Sequence, residues 1–284
     1  MPLTRSGPSR RAVPGTVRTP AVLLAALTLL LVLPGIAQAE GADERPTHPD
    51  KDWMGSTIRA HEGRASAEPA SSRTLTASVE GVDVSSHNGN VAWSTLKTNG
   101  TRFAYVKATE GTSYHNPYFT QQYNGSYQSG MIRGAYHFAL PSNSSGSSQA
   151  DYFASHGGGW SKDGKTLPGA LDIEYNPYGP ACYGKSQSAM VDWIGDFVRK
   201  YKQRTGRDAV IYTSTTWWKT CTGNSTKFSG TNPLWVPNWG ASVGTLPGGW
   251  PFQTFWQYTS TGKTVGDHDR FNGSYARLQA LANG

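Results

Sequence analysis

Between Val79 and Tyr212 the chain repeats one arrangement. A short apolar block ends in polar residues, and a stretch with helical spacing follows. The blocks are "VEGVDVSS", "RFAYVKATEG", "MIRGAYHFAL", "GALDIEYN" and "DAVIYTS". The intervening helical stretches are "VAWSTLKTNG", "NPYFTQQYNGSYQSG", "SSGSSQADYFASHG" and "KSQSAMVDWIGDFVRKYKQRTG". In the last of these, Met190, Trp193, Ile194, Phe197, Val198 and Tyr201 form an i, i+3, i+4, i+7 stripe, and Gly206 supplies the stop. Strands that alternate with helices pair in parallel, because each helix carries the chain back across the sheet. After Tyr212 the rhythm changes to short blocks without long helices: "PLWVPNWG", "FQTFWQYTS" and "DHDRFNG". The pattern predicts an α/β fold, a TIM-like barrel of five βα units with a mostly β closing stretch, in one catalytic domain.

The preceding residues are of another kind. Arg5, Arg10, Arg11 and Arg18 stand ahead of "AVLLAALTLLLVLPGIAQA", with no acid among them. A basic region, a short apolar region and small residues before a cleavage point make a secretory signal peptide over residues 1–39. Residues 40–78 hold seven acids and five bases with almost no large apolar side chains, a disordered-type composition suited to a pro-segment or spacer. Residues 79–284 form the folded domain, with 17 Lys and Arg against 12 Asp and Glu. That mild excess suits an anionic surface such as a cell wall as well as it suits simple solubility. It forms no basic run of the kind that binds nucleic acid. Secretion places the protein outside the cell and leaves no membrane anchor after cleavage, and a monomer is expected.

In parallel α/β barrels the active site lies at the carboxyl ends of the strands. That rule collects Asp83 from the first block and Lys107, Thr109 and Glu110 from the second. Tyr136 and His137 come from the third, Asp172 and Glu174 from the fourth, and Tyr212 and Thr213 from the fifth. Trp239, Gln257 and Tyr258 come from the later ones. Asp172 and Glu174 are i and i+2, so they share a face, with Cβ atoms roughly 6–7 Å apart. Two carboxyl groups that close in a partly dry cleft cannot both ionise easily, and the one whose pKa rises can act as an acid near neutral pH. Hydrolysis of a glycosidic bond uses such an arrangement. The ten Trp and fourteen Tyr residues add faces on which sugar rings stack, about half of them being assigned to packing. His87 and His137 stand near strand ends as either site or structural histidines.

Cys182 and Cys221 are the only cysteines, and in a secreted chain they are expected to pair. Two cysteines without suitably spaced histidines make a poor metal site, so neither metal nor cofactor is expected.

The blocks "GVDVSSHNG", "YVKATEG", "GAYHFA", "LDIEYN", "FWQYTS" and "DHDRFNG" occur in the order found in glycoside hydrolase family 25 lysozymes. Residues 79–284 resemble the Chalaropsis-type enzymes of secreted actinomycete origin. The resemblance implies a (βα)5β3 barrel and muramidase action on peptidoglycan glycan strands, at the β-1,4 bond between N-acetylmuramic acid and N-acetylglucosamine. It implies Glu174 as proton donor, Asp172 as its partner, Asp83 from the opening block and Asp267 from the closing block. Gly266 stands where the family usually has Val, and Asp269 is a competing acid for the last position. The alternatives are a chitinase-like hydrolase and a non-catalytic wall-binding barrel.

Overall fold

The computed structural model describes residues 51–63 and 77–284. The signal peptide expected over residues 1–39 lies outside the described residues. Eight strands close a barrel: β1 (Ser78–Val84), β2 (Phe103–Glu110), β4 (Ile132–Phe138), β5 (Ala170–Asp172), β6 (Val210–Tyr212), β7 (Leu234–Pro237), β8 (Phe255–Thr259) and β9 (Asp267–Asn272). A two-residue strand, β3 (Tyr114–His115), pairs with the end of β2. Strands β1 to β8 of the barrel run parallel, and β9 runs antiparallel between β8 and β1. Helices α2 (Trp93–Thr98), α3 (Phe119–Gln128), α4 (Gly146–Ser155), α5 (Gln187–Thr205) and α6 (Thr215–Thr222) follow the first five parallel strands of the barrel. This is the expected five βα units and three closing strands. A last helix, α7 (Tyr275–Asn283), was not anticipated.

Local chemistry fixes the helix ends. Ser145, Ser186, Ser214 and Ser274 each stand in extended backbone at an N-cap and accept a hydrogen bond from a backbone N–H of the first turn. Gly206 ends α5 in the left-handed conformation, as the sequence indicates. The buried face of α5 is Met190, Trp193, Ile194, Phe197 and Tyr201, and it packs with Phe153 of α4 on the outside of the sheet. The barrel interior is filled from below by Phe103, Tyr105, Ile132, Val210, Trp235, Phe255 and Phe271. All eight residues of β2 are buried, as a parallel strand with a core on one face and helices on the other requires.

Cys182 and Cys221 form a disulfide with Cα atoms 5.3 Å apart, tying the loop after β5 to α6 across 39 residues. In the chain-entropy picture a loop of that size stabilises by about 4 kcal/mol.

Residues 51–63 belong to the segment whose composition reads as disordered, yet they lie against the barrel and include a short helix, α1 (Ile58–Glu62). They contain too little apolar surface to form a core of their own. The barrel supplies the other half: Met54 is fully buried among the interior side chains, and Ile58 packs against the outer core.

Candidate active site

Strand register brings the carboxylates together. Asp172 is the last residue of β5 and lies beside Tyr212 of β6, and Glu174 follows two residues on. Opposite them, Asp83 of β1 pairs directly with Asp267, the first residue of antiparallel β9. Cross-strand partners point to the same face, so Asp83 and Asp267 both look into the mouth. Asp269 faces inward as well but pairs with Gly81, one layer deeper, where its carboxylate accepts from Trp235 Nε1 at 3.1 Å. Depth therefore separates the two acids of the closing block, and Asp267 is the one at the mouth. Gly266 beside it has φ of +85°, and a Cβ there would lie 2.5 Å from the backbone oxygen of Asp83. The close approach of β9 to β1 excludes a valine at this position.

Around these acids stand other expected residues. Tyr212 donates from its hydroxyl to Gln257 Oε1 at 2.9 Å, and Gln257 Nε2 donates to Asp83 Oδ2 at 2.8 Å. Lys107 is fully buried and donates to Glu110 Oε2 at 2.7 Å. Burial pulls its pKa down, but the charges of Glu110 and Asp52 outweigh this and hold it above the ordinary value. Tyr136 is buried at the top of β4. Trp239, after β7, is half-buried, with an indole N–H that has no hydrogen-bond partner among the described residues. A cleft of about 360 Å³ remains beside this cluster, lined by Asp83, Asp267, His87 and the loop between β8 and β9.

One expectation needs correction, and one open choice is decided. Tyr258 does not join the cluster. Gln257 points inward, so strand alternation turns Tyr258 outward, where its hydroxyl donates to Glu80 at 2.8 Å and its ring lies 4.1 Å from the Arg270 guanidinium. His137 also faces outward, held between Thr109 Oγ1 at 2.8 Å and Gln149 Oε1 at 3.0 Å, and burial lowers its pKa to about 3. It is a neutral structural histidine. Most tryptophans are core: Trp217, Trp218 and Trp235 are fully buried, and Trp193, Trp250 and Trp256 nearly so.

The electrostatics follow from burial. Desolvation lifts the Asp83 carboxyl to about 8 against the hydrogen bond from Gln257. It lifts Asp172 well above the ordinary value, helped by the charge of Glu174, and does the same to Asp267 with help from Asp83. Asp269 is raised likewise, chiefly by burial. Glu174 rises to about 7, again by burial, although Thr57 and Gly55 donate to it. Neither oxygen of Asp172 has a hydrogen-bond partner among the described residues.

These shifts have a thermal consequence. Carboxyl groups with raised folded values still hold protons that the unfolded chain has released above about pH 4, so stability falls as pH rises through the folded values. His137 acts in the opposite sense only below its unfolded value near 6.5. From pH 6.5 to 8, then, unfolding should become easier by about 1.4 kcal/mol per pH unit for each extra proton held. Melting should drop by several degrees over that interval. A melting temperature that is flat or rising there contradicts a protonated buried cluster.

The residues that sequence reasoning missed come from residues 51–63. Gly55 donates its N–H to Glu174 Oε1 at 2.8 Å, and Thr57 donates its hydroxyl to Glu174 Oε2 at 2.6 Å. Met54 N–H donates to the Tyr136 hydroxyl at 3.2 Å. Lys107 donates to the backbone oxygen of Asp52. No local signal marks such contacts, because their partners lie 55 to 119 residues away.

Comparison with known proteins gives a consistent result. The profile of "Glycosyl hydrolases family 25" matches residues 82–267. Lysozyme M1 of Streptomyces globisporus is 48% identical over 282 residues, covering 94% of this chain and 95% of its own. The N,O-diacetylmuramidase of Chalaropsis sp is 49% identical over 210 residues, covering 72% of this chain and all of its own. Among solved structures, the bacterial lysozyme from Streptomyces coelicolor superposes with a TM-score of 0.71 at 54% identity, over 73% of this chain and 98% of that one. A family GH25 lysozyme from Aspergillus fumigatus does so with 0.72 at 47% identity, over 73% and 100%.

Proposed function

The chain belongs to glycosyl hydrolase family 25, and from that premise we propose that it is a secreted lysozyme that hydrolyses peptidoglycan at the N-acetylmuramic acid–N-acetylglucosamine β-1,4 bond. It is a glycoside hydrolase on a single TIM-like barrel. Among the described residues no helix is long and apolar enough to cross a membrane.

The observation that carries the reading is the pair at the end of β5, Asp172 and Glu174, two buried carboxyl groups facing Asp83 and Asp267 across one mouth. Their environments differ, and the difference assigns their work. Burial raises the Glu174 pKa, to about 7 with Gly55 and Thr57 donating to it, toward the range in which a carboxyl at neutral pH carries the proton that a leaving glycosidic oxygen needs. Asp172 has two acceptor oxygens without a donor among the described residues, and the sugar to be cleaved carries an acetamido N–H. In the first step the acetamido carbonyl oxygen attacks the anomeric carbon, and the C–O bond to the leaving sugar breaks. Glu174 gives its proton to the departing oxygen. With the proton on Glu174, the charge that helps raise the Asp172 pKa is absent, and it is the ionised form of Asp172 that accepts from the acetamido N–H and balances the positive charge spreading over the new five-membered ring. In the second step Glu174 takes a proton from water. The water oxygen attacks the same carbon from the face just vacated, and the acetamido group is restored. The outcome is retention without a protein nucleophile, one of the exceptions to the two-carboxylate scheme. Asp83, held by Gln257, and Asp267 set the charge of the mouth and hold the sugar.

The Chalaropsis relative is matched over its full length by about as many residues as the barrel contains, so residues 79–284 are the portion to assay. They should clear bacterial walls and release fragments with N-acetylmuramic acid at the reducing end, and should leave chitin intact. Chitin hydrolysis at a comparable rate favours the chitinase-like reading instead.

A further inference from the structure

Residues 51–63 do more than touch the mouth. They use the groups that a sugar would need. Both oxygens of Glu174 are taken, one by the Gly55 N–H at 2.8 Å and one by the Thr57 hydroxyl at 2.6 Å. A general acid must come within about 2.6–3.2 Å of the oxygen it protonates, so no glycosidic oxygen reaches Glu174 while these donors are present. The neighbours are engaged too. Gln257 Nε2 donates to the Met54 backbone oxygen at 3.2 Å, and the Tyr178 hydroxyl donates to Asp52 Oδ2 at 3.1 Å. On the flank, Glu62 accepts from the Tyr175 hydroxyl at 2.9 Å and from Ser214. His61 stacks on the Tyr175 ring with centroids 4.1 Å apart, and Trp53 stacks on His87 at 6.0 Å. Asp52 is 1% exposed and Met54 is fully enclosed, so the fit is a buried one.

The backbone at the centre is shaped for close approach. Gly55 has φ of +87°, and a Cβ there would lie 2.6 Å from Gln257 Oε1 and 2.8 Å from the Tyr212 hydroxyl. Only glycine lets the chain reach the proton donor through that gap. The segment is also part of the same chain, so it competes with the glycan at the high effective concentration of a tethered ligand.

We propose that residues 51–63 are an intramolecular inhibitor that occupies the sugar site, so that the full chain is a latent enzyme and the barrel acts on walls only when this segment has left the cleft. The inference rests on the muramidase reading above. It assigns the acidic and polar stretch before the barrel a binding role that its composition conceals.

The test uses the full chain and a double variant, Met54→Asp with Gly55→Val, which puts a charge into the apolar interior and a branched side chain into the gap. Neither residue belongs to the catalytic barrel. Two quantities are read: hydrogen exchange of the peptide spanning residues 51–63, and the rate of wall clearance. The wild-type full chain should protect the peptide and clear walls at least tenfold more slowly than the double variant, in which the peptide exchanges freely. Adding Glu174→Gln to the double variant should abolish the gain. Free exchange of the peptide in the wild-type chain overturns the proposal, as does continued protection in the double variant. Protection together with equal clearance rates overturns it and leaves the muramidase reading intact. Free exchange in the double variant without any wall clearance removes the muramidase reading, and the proposal with it.

Discussion

Glu174→Gln should lower wall clearance by residues 79–284 by about 10²- to 10⁴-fold, the range that a positioned general acid contributes. The substitution is nearly isosteric and removes only the transferable proton. Glu174 is fully buried, so a changed fold would be the rival explanation for a loss. Melting within a few degrees of the parent, with wall binding retained, separates the two. The fall should lie in kcat, because the proton moves only as the bond breaks. Turnover within threefold of the parent would show that the proton comes from elsewhere, and the division of labour on β5 would have to be redrawn.

Asp172→Asn should be the second large effect, about 10²- to 10³-fold, comparable with the loss of one group that stabilises charge in a transition state. Asparagine keeps an acceptor for the acetamido N–H but brings no negative charge to the cationic ring. If the fall is in kcat with KM little changed, Asp172 serves the intermediate rather than ground-state binding. Stability offers an independent view. Asp172 is buried with both oxygens unpartnered among the described residues, an unfavourable arrangement for folding. Removing it should therefore not destabilise the barrel by the 3–5 kcal/mol typical of breaking a buried ion pair. A collapse of the fold in this variant would mean that Asp172 has a structural partner.

Much of this architecture is written in local chemistry. The helical stripe from Met190 to Tyr201, the serine caps and the twice-buried β2 each follow from periodicity and side-chain type alone. The strand-end rule located the acids because a parallel barrel has one functional face. It erred at Tyr258, since neighbouring residues on a strand face opposite ways and the end of a strand does not reveal which one turns inward. The choice between Asp267 and Asp269 was likewise illegible, because both are inward and only pairing with β1 shows their depth. The helices α6 and α7 are short, and their apolar positions merge with an aromatic-rich stretch and the chain end. The seating of residues 51–63 was the least readable feature. Composition measures what a segment can bury against itself, whereas Met54 and Gly55 are satisfied by side chains such as Gln257, 203 residues beyond Met54.

The configuration of the first product reports directly how the glycosidic bond is broken. Residues 79–284 would be mixed with a soluble peptidoglycan glycan fragment and followed by proton NMR before mutarotation proceeds. Acetamido participation with Glu174 acting in turn as acid and base predicts that the new reducing end appears first as the β anomer. First appearance of the α anomer would mean direct attack by water with inversion, and would contradict the roles given to Asp172 and Glu174.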